Sequence, residues 1–142
     1  MVTNFIINRD YRVVFSYAYG TFNFTDAMDR RNHLLRDPAF RSDFKQIADF
    51  TDLDTIQLSG DEIERLAENQ VFNPESRRAF VVASGLNHGL CRMFHSYSEV
   101  KIKMAVNIEI FRILDEAIRW VDVPRDVVTE AFSELRSHHY RA

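Results

Sequence analysis

The sequence predicts an α/β fold, a sheet covered by helices. Apolar runs of strand character alternate with stretches of helical spacing through most of the chain. The 142 residues match one ordinary domain of about 100–150. No repeat, low-complexity tract or Gly/Ser-rich linker divides them, and the plausible boundary falls at Val123-Pro124.

Each element has a local reason. Phe5 to Tyr19 is rich in aromatic and β-branched residues, and Tyr11, Val13, Phe15, Tyr17 and Tyr19 recur with period two. This pattern predicts two strands at about 4–8 and 11–19, joined by a tight turn near Arg9-Asp10. Gly20 ends the second, and Thr25 caps a helix at about 25–36 with Met28, the stem of Arg31, Leu34 and Leu35 on its apolar face. Asp37-Pro38 stops it. Phe44, Ile47, Ala48 and Phe50 make a strand buried on both faces that ends near Thr51. Ser59-Gly60-Asp61-Glu62 has the capping-box form, opening a helix whose inner face carries Ile63, Leu66, Ala67 and Gln70.

Ala79 to Ala83 reads as another buried strand, leading through Ser84-Gly85 into a helix that runs to about Ala105. Leu86, Leu90, Met93, Phe94 and Tyr97 mark its expected core face. Val106 to Phe111 is the last strand, and Asp115 to Trp120 a short helix. Beyond Pro124, Val128, Ala131, Phe132 and Leu135 form an amphipathic stripe at i, i+3, i+4 and i+7. That stripe packs on its own sheet or on another subunit. The expected use is a homodimer contact, since an exposed stripe would otherwise meet water.

Composition excludes several function classes. With 46% apolar residues and 13% aromatic ones, burial offsets the entropy of ordering the chain. A formal charge of -3 leaves no broad cationic surface, and the pairs Arg30-Arg31 and Arg77-Arg78 are too short to neutralise a run of phosphates. Neither nucleic acid nor membrane insertion is expected; no run approaches the roughly 18 apolar residues of a spanning helix. The single cysteine, Cys91, forms no internal disulfide, and MVTNFIINRD lacks signal-peptide character, so a cytoplasmic location is expected.

The strings Asp37-Pro38-Ala39-Phe40 with Phe44 and Asp49, Arg77-Arg78-Ala79, Gly89-Leu90-Cys91-Arg92-Met93-Phe94, and Phe111-Arg112 with Ala117 and Trp120, taken in this order, resemble the SpoIIAA-like family. These are STAS-type domains, remotely related to CRAL-TRIO lipid-binding domains. The resemblance covers about residues 4–121 and leaves a C-terminal helical extension at about 124–139. It implies one domain over 1–142, with a mixed sheet of four to five strands and helices mainly on one face. It also implies a non-enzymatic regulatory or protein-interaction role. The alternative is a carrier of a small apolar ligand or lipid between sheet and helices, where the many Phe and Tyr would line a pocket. Those aromatics equally serve a plain core.

In the STAS antagonists a serine at the start of a helix is phosphorylated, and Ser59 occupies a similar place. The acidic residue that precedes that serine there is Leu58 here. Phosphate on Ser59 would meet a helix N-terminus, although a simple cap with Glu62 accounts for the same residues. Asp49, Asp52, Asp54 and Arg92 are candidate partner or ligand contacts, and the Asp49, Asp52, Asp54, Asp61, Glu62 group lies near a strand end where carboxylates bind Mg²⁺. A solvated loop is the plainer reading. His88, Cys91 and His95 share a helix face, but His88 and His95 lie about 10 Å apart along the axis, so one metal does not join all three. No metal or cofactor is expected. Nothing in the chain matches G-x-S-x-G or a nucleotide-binding glycine loop.

Overall fold

The computed structural model describes residues 3–141, with side chains from 4 to 138. Five strands are interleaved with five helices: β1 (Thr3–Asn8), β2 (Val13–Asn23), α1 (Phe24–Arg36), β3 (Lys45–Gln57), α2 (Gly60–Glu68), β4 (Arg78–Val81), α3 (Gly85–Ile102), β5 (Ile108–Phe111), α4 (Leu114–Val121) and α5 (Arg125–Arg141). Their order across the sheet is the order along the chain, β1 to β5. β1 is antiparallel to β2, and every later pairing is parallel.

This order dictates where the helices go. Crossovers between parallel neighbours keep one hand, so three successive steps in one direction place α1, α2 and α3 on the same face. There Phe22, Phe50, Phe80 and Val82 meet Ala27 of α1 and Cys91 of α3. The opposite face, Val13, Phe15, Tyr17, Ile47, Ala79 and Val81, can be covered only by the helices that come after β5. Ala117, Ile118 and Val121 of α4 and Val128, Ala131, Phe132 and Leu135 of α5 cover it. Helices therefore lie three on one face and two on the other.

This corrects the expected dimer contact. Val128, Ala131, Phe132 and Leu135 are all buried within the chain, with Val128 at 0% exposure and Phe132 at 1%. Phe132 stacks edge-on against Phe15 with centroids 5.6 Å apart. Burying a Val, Leu or Phe contributes about 1.5–3 kcal/mol each, and the sheet face below already takes the whole stripe.

The strands extend further than their apolar runs. β2 does not stop at Gly20, which adopts φ 71 and absorbs a register shift, so pairing with β3 resumes to Asn23 and Gln57. Asn23 rather than Thr25 caps α1: Asp26 N donates to Asn23 Oδ1 at 2.9 Å, and Asn23 N to Asp26 Oδ2 at 3.1 Å. An N-x-x-D pair closes the same reciprocal cap as S-x-x-E.

Two helix faces also differ from expectation. On α1, Ala27 and Leu34 are buried while Leu35 is 54% exposed. On α3, Leu90 and Phe94 pack on the core as expected, but the fully buried positions are Asn87, Cys91 and Ser98, while Leu86, Met93 and Val100 are exposed. Ser98 satisfies its hydroxyl on Phe94 O at 2.6 Å and accepts from Gln70 at 2.8 Å, so its burial leaves no hydroxyl unpaired.

Candidate ligand pocket

Between the sheet and α1 to α3 the packing leaves a cavity of about 110 Å³. Its floor is Phe22, Gln46, Phe50, Arg78 and Phe80 on the strands; Ala27, Arg30, Arg31 and Leu34 of α1 form one wall, and Leu90, Cys91 and Phe94 of α3 the other. Ile63 and Leu66 of α2 and the loop Asn69 to Phe72 complete it. Most of the lining is apolar, and it includes three arginines, Arg30, Arg31 and Arg78.

Arg78 is on β4, in register with Phe80 on the helix-covered face, and is 6% exposed. Its Nε donates to Gln46 Oε1 at 3.0 Å and its Nη1 to Gln70 Oε1 at 2.6 Å. The two amides are oriented in turn. Gln46 Nε2 donates to Ser16 Oγ at 3.0 Å, and Gln70 Nε2 to Ser98 Oγ at 2.8 Å and Ala67 O at 2.9 Å. The guanidinium also lies over the rings of Phe72 at 4.4 Å, Phe80 at 5.4 Å and Phe94 at 5.7 Å. Every one of these partners is neutral.

Arg30 reaches in from α1 and lies over Phe22 at 5.3 Å and Phe50 at 5.5 Å. As a residue it is half-buried, yet its Nη1 is enclosed and has no hydrogen-bond partner. Its neighbour Arg31 differs, since Arg31 Nε bonds to Asn69 O. Among the described residues no carboxylate forms an ion pair with Arg30 or Arg78.

The electrostatics follow from this isolation. Burial lowers the Arg78 pKa to about 9, helped by repulsion from Arg30. Burial likewise lowers Arg30 to about 10, opposed by Cys91. Burial raises the Cys91 thiol to about 12, against the pull of Arg30, so at neutral pH the thiol is uncharged and supplies no counter-ion. Both arginines keep their charge at that pH.

The predicted site residues are scattered. Asp49, at 1% exposure, is on the opposite sheet face, where it accepts from Thr51 N at 3.0 Å and Thr51 Oγ1 at 2.6 Å and pairs with Arg136 of α5. Asp52 joins it, accepting from Tyr17 OH at 2.5 Å and lying 3.5 Å from Arg136 Nε. Asp49 is thus an internal clip for α5 rather than a surface contact. Asp54 is exposed on β3, and Arg92 is exposed on α3, across the sheet from Asp49. Ser59 is exposed and closes the expected cap: Glu62 N donates to its Oγ at 3.2 Å, and Ser59 N to Glu62 Oε1 at 2.9 Å. Cys91 faces the pocket while His95 Nε2 meets Val106 O at 2.9 Å, so the His88, Cys91, His95 face does not converge. No group of three or more His, Cys, Asp or Glu side chains is placed to hold a metal among the described residues.

No family model matches this chain, and no curated protein matches it. A solved structure does: an uncharacterised protein of the DUF3478 family from Shewanella loihica PV-4, described as having a SpoIIAA-like fold. It aligns over 84% of this chain and 91% of its own, with a TM-score of 0.53 and 17% identity. The chain has a SpoIIAA-like fold. At that identity the likeness carries the architecture, and the SpoIIAA-like sheet brings no ligand or activity with it. Among the described residues no helix is long and apolar enough to cross a membrane.

The arginines of the pocket were missed in the sequence because each belongs to a basic pair. Counted as surface charge, Arg30-Arg31 and Arg77-Arg78 are weak patches. Placed by period they are informative, since Arg78 shares the parity of Phe80 and Val82, and Arg30 falls between Ala27 and Leu34.

Proposed function

We propose that this SpoIIAA-like domain is a non-enzymatic binding module that takes a small ligand in the pocket between the sheet and α1 to α3. The observation that carries the reading is the aromatic-lined cavity into which the guanidinium groups of Arg30 and Arg78 are built with no charged partner among the described residues. A fold that needed only a core would fill the same space with Leu or Phe, and burying an uncompensated charge costs several kcal/mol, on the order of the stabilisation from several buried side chains. Volume narrows the ligand. About 110 Å³ is of the order of a 150 Å³ core cavity that admits benzene, so the occupant is a compact molecule and not a full lipid chain.

Native mass spectrometry of protein purified from its own host tests this. A small added mass, released on denaturation, is expected. A clean apo mass, together with a melting temperature indifferent to compact aromatic probes, contradicts the reading.

A second reading, protein interaction, is favoured by one feature of α3. Leu86 and Val100 are each 69% exposed and Met93 37%, at seven-residue spacing along one line of the helix. An exposed apolar line on one helix suits contact with another helix, and a second copy of α3 is its simplest occupant. Light scattering is expected to give a dimer mass for the wild type and a monomer mass for Val100→Glu. A monomeric wild type rules the pairing out.

A further inference from the structure

We infer that the pocket is specific for a small organic acid, its carboxylate held between Arg30 and Arg78 and its apolar body lying among Phe22, Phe50 and Phe80. The inference rests on the ligand reading above and adds the charge of the ligand. A guanidinium carries five N–H donors, and buried ones find oxygens. Arg31, one residue away on α1, does so at Asn69 O. Arg30 Nη1 is enclosed with nothing to bond. Arg78 is held from the side by Gln46 and Gln70, which fix its orientation but leave its charge unmatched.

Cation-π contact explains part of the arrangement and not all of it. Each guanidinium lies over two or more rings, yet such contacts are individually weaker than the desolvation of one buried charge. Two like charges in one cavity add repulsion that only an anion removes. The group inside the pocket best placed to be that anion, Cys91, is a neutral thiol at neutral pH. A carboxylate fits the fork geometry of guanidinium, and the cavity of about 110 Å³ leaves room for a compact apolar body beside it.

Benzoate and its uncharged counterpart benzamide test the inference by calorimetry at neutral pH. Benzoate is expected to bind at least about tenfold more tightly than benzamide, a difference of about 1.4 kcal/mol. Arg30→Met is expected to bring benzoate down to the benzamide level, and Arg30→Lys, which keeps the charge, to retain part of the preference. Arg30→Gln gives a second neutral variant should the Met protein fail to fold. Benzamide binding as tightly as benzoate, or a preference that survives both neutral variants, overturns the acid specificity and leaves the ligand pocket standing. If neither probe binds, the pocket reading falls and the acid specificity with it.

Discussion

Arg30 and Arg78 differ in what surrounds them, and their substitutions should move stability in opposite directions. Arg30 exchanges a desolvated charge for contacts with Phe22 and Phe50, and desolvation is the larger of the two effects. Arg30→Met keeps the stem and deletes the charge, so the ligand-free protein is expected to melt higher. Arg78→Met leaves Gln46 and Gln70 with unmet buried acceptors, about 1–3 kcal/mol each, and is expected to melt lower. The pH dependence has a definite sign. Both folded pKa values, about 10 and about 9, lie below the ordinary 12.5, so between them and 12.5 the unfolded chain binds more protons and stability rises with pH. The advantage of Arg30→Met is therefore full at neutral pH and shrinks as pH rises through about 10. Thermal melts at about pH 7 and about pH 10.5 check this, and an advantage that grows with pH contradicts it. Gaining stability by removing a residue is the usual mark of a site kept for binding.

At the scale of the element, α5 is fastened to the sheet by its apolar stripe and by Arg136. That side chain pairs with buried Asp49 and reaches Asp52. Removing the cation leaves a carboxylate at 1% exposure with only its Thr51 hydrogen bonds, in a pair whose arginine is part-exposed, which costs about 1–3 kcal/mol. Arg136→Met is expected to lower the urea midpoint accordingly, and Asp49→Asn in the same chain to recover much of the loss. A midpoint unchanged by Arg136→Met would show that the pair contributes nothing to docking α5. The stripe itself was legible from spacing alone, but its partner was not, because i, i+3, i+4, i+7 says that a face is covered and not by which surface. Strand ends were misjudged where Gly20 invites a stop, since a glycine at φ 71 serves a register shift inside a strand as readily as its end. On α3 Leu90 and Phe94 face the core as their spacing predicts, while Leu86 and Met93 point outward, and the fully buried positions are Asn87, Cys91 and Ser98, which hydrophobicity does not select.

For the whole molecule, the alternation of strand and helix carried the fold class, and every element read from the sequence is present. The sequential strand order then explains the rest. Three one-handed crossovers leave one face bare, and α4 and α5 close it, so the C-terminal helix completes the SpoIIAA-like domain and does not wait for a partner. The pocket was the illegible part. It depends on two arginines far apart in sequence, Arg30 and Arg78, which only the pairing of β3 with β4 and the docking of α1 bring into one cavity. The most direct test of that cavity is proton–nitrogen correlation of the arginine Nε–H groups during titration with benzoate. The Arg30 and Arg78 signals should move first and furthest and saturate together. Shifts confined to exposed arginines such as Arg92, or no shifts at all, would contradict a carboxylate held between them.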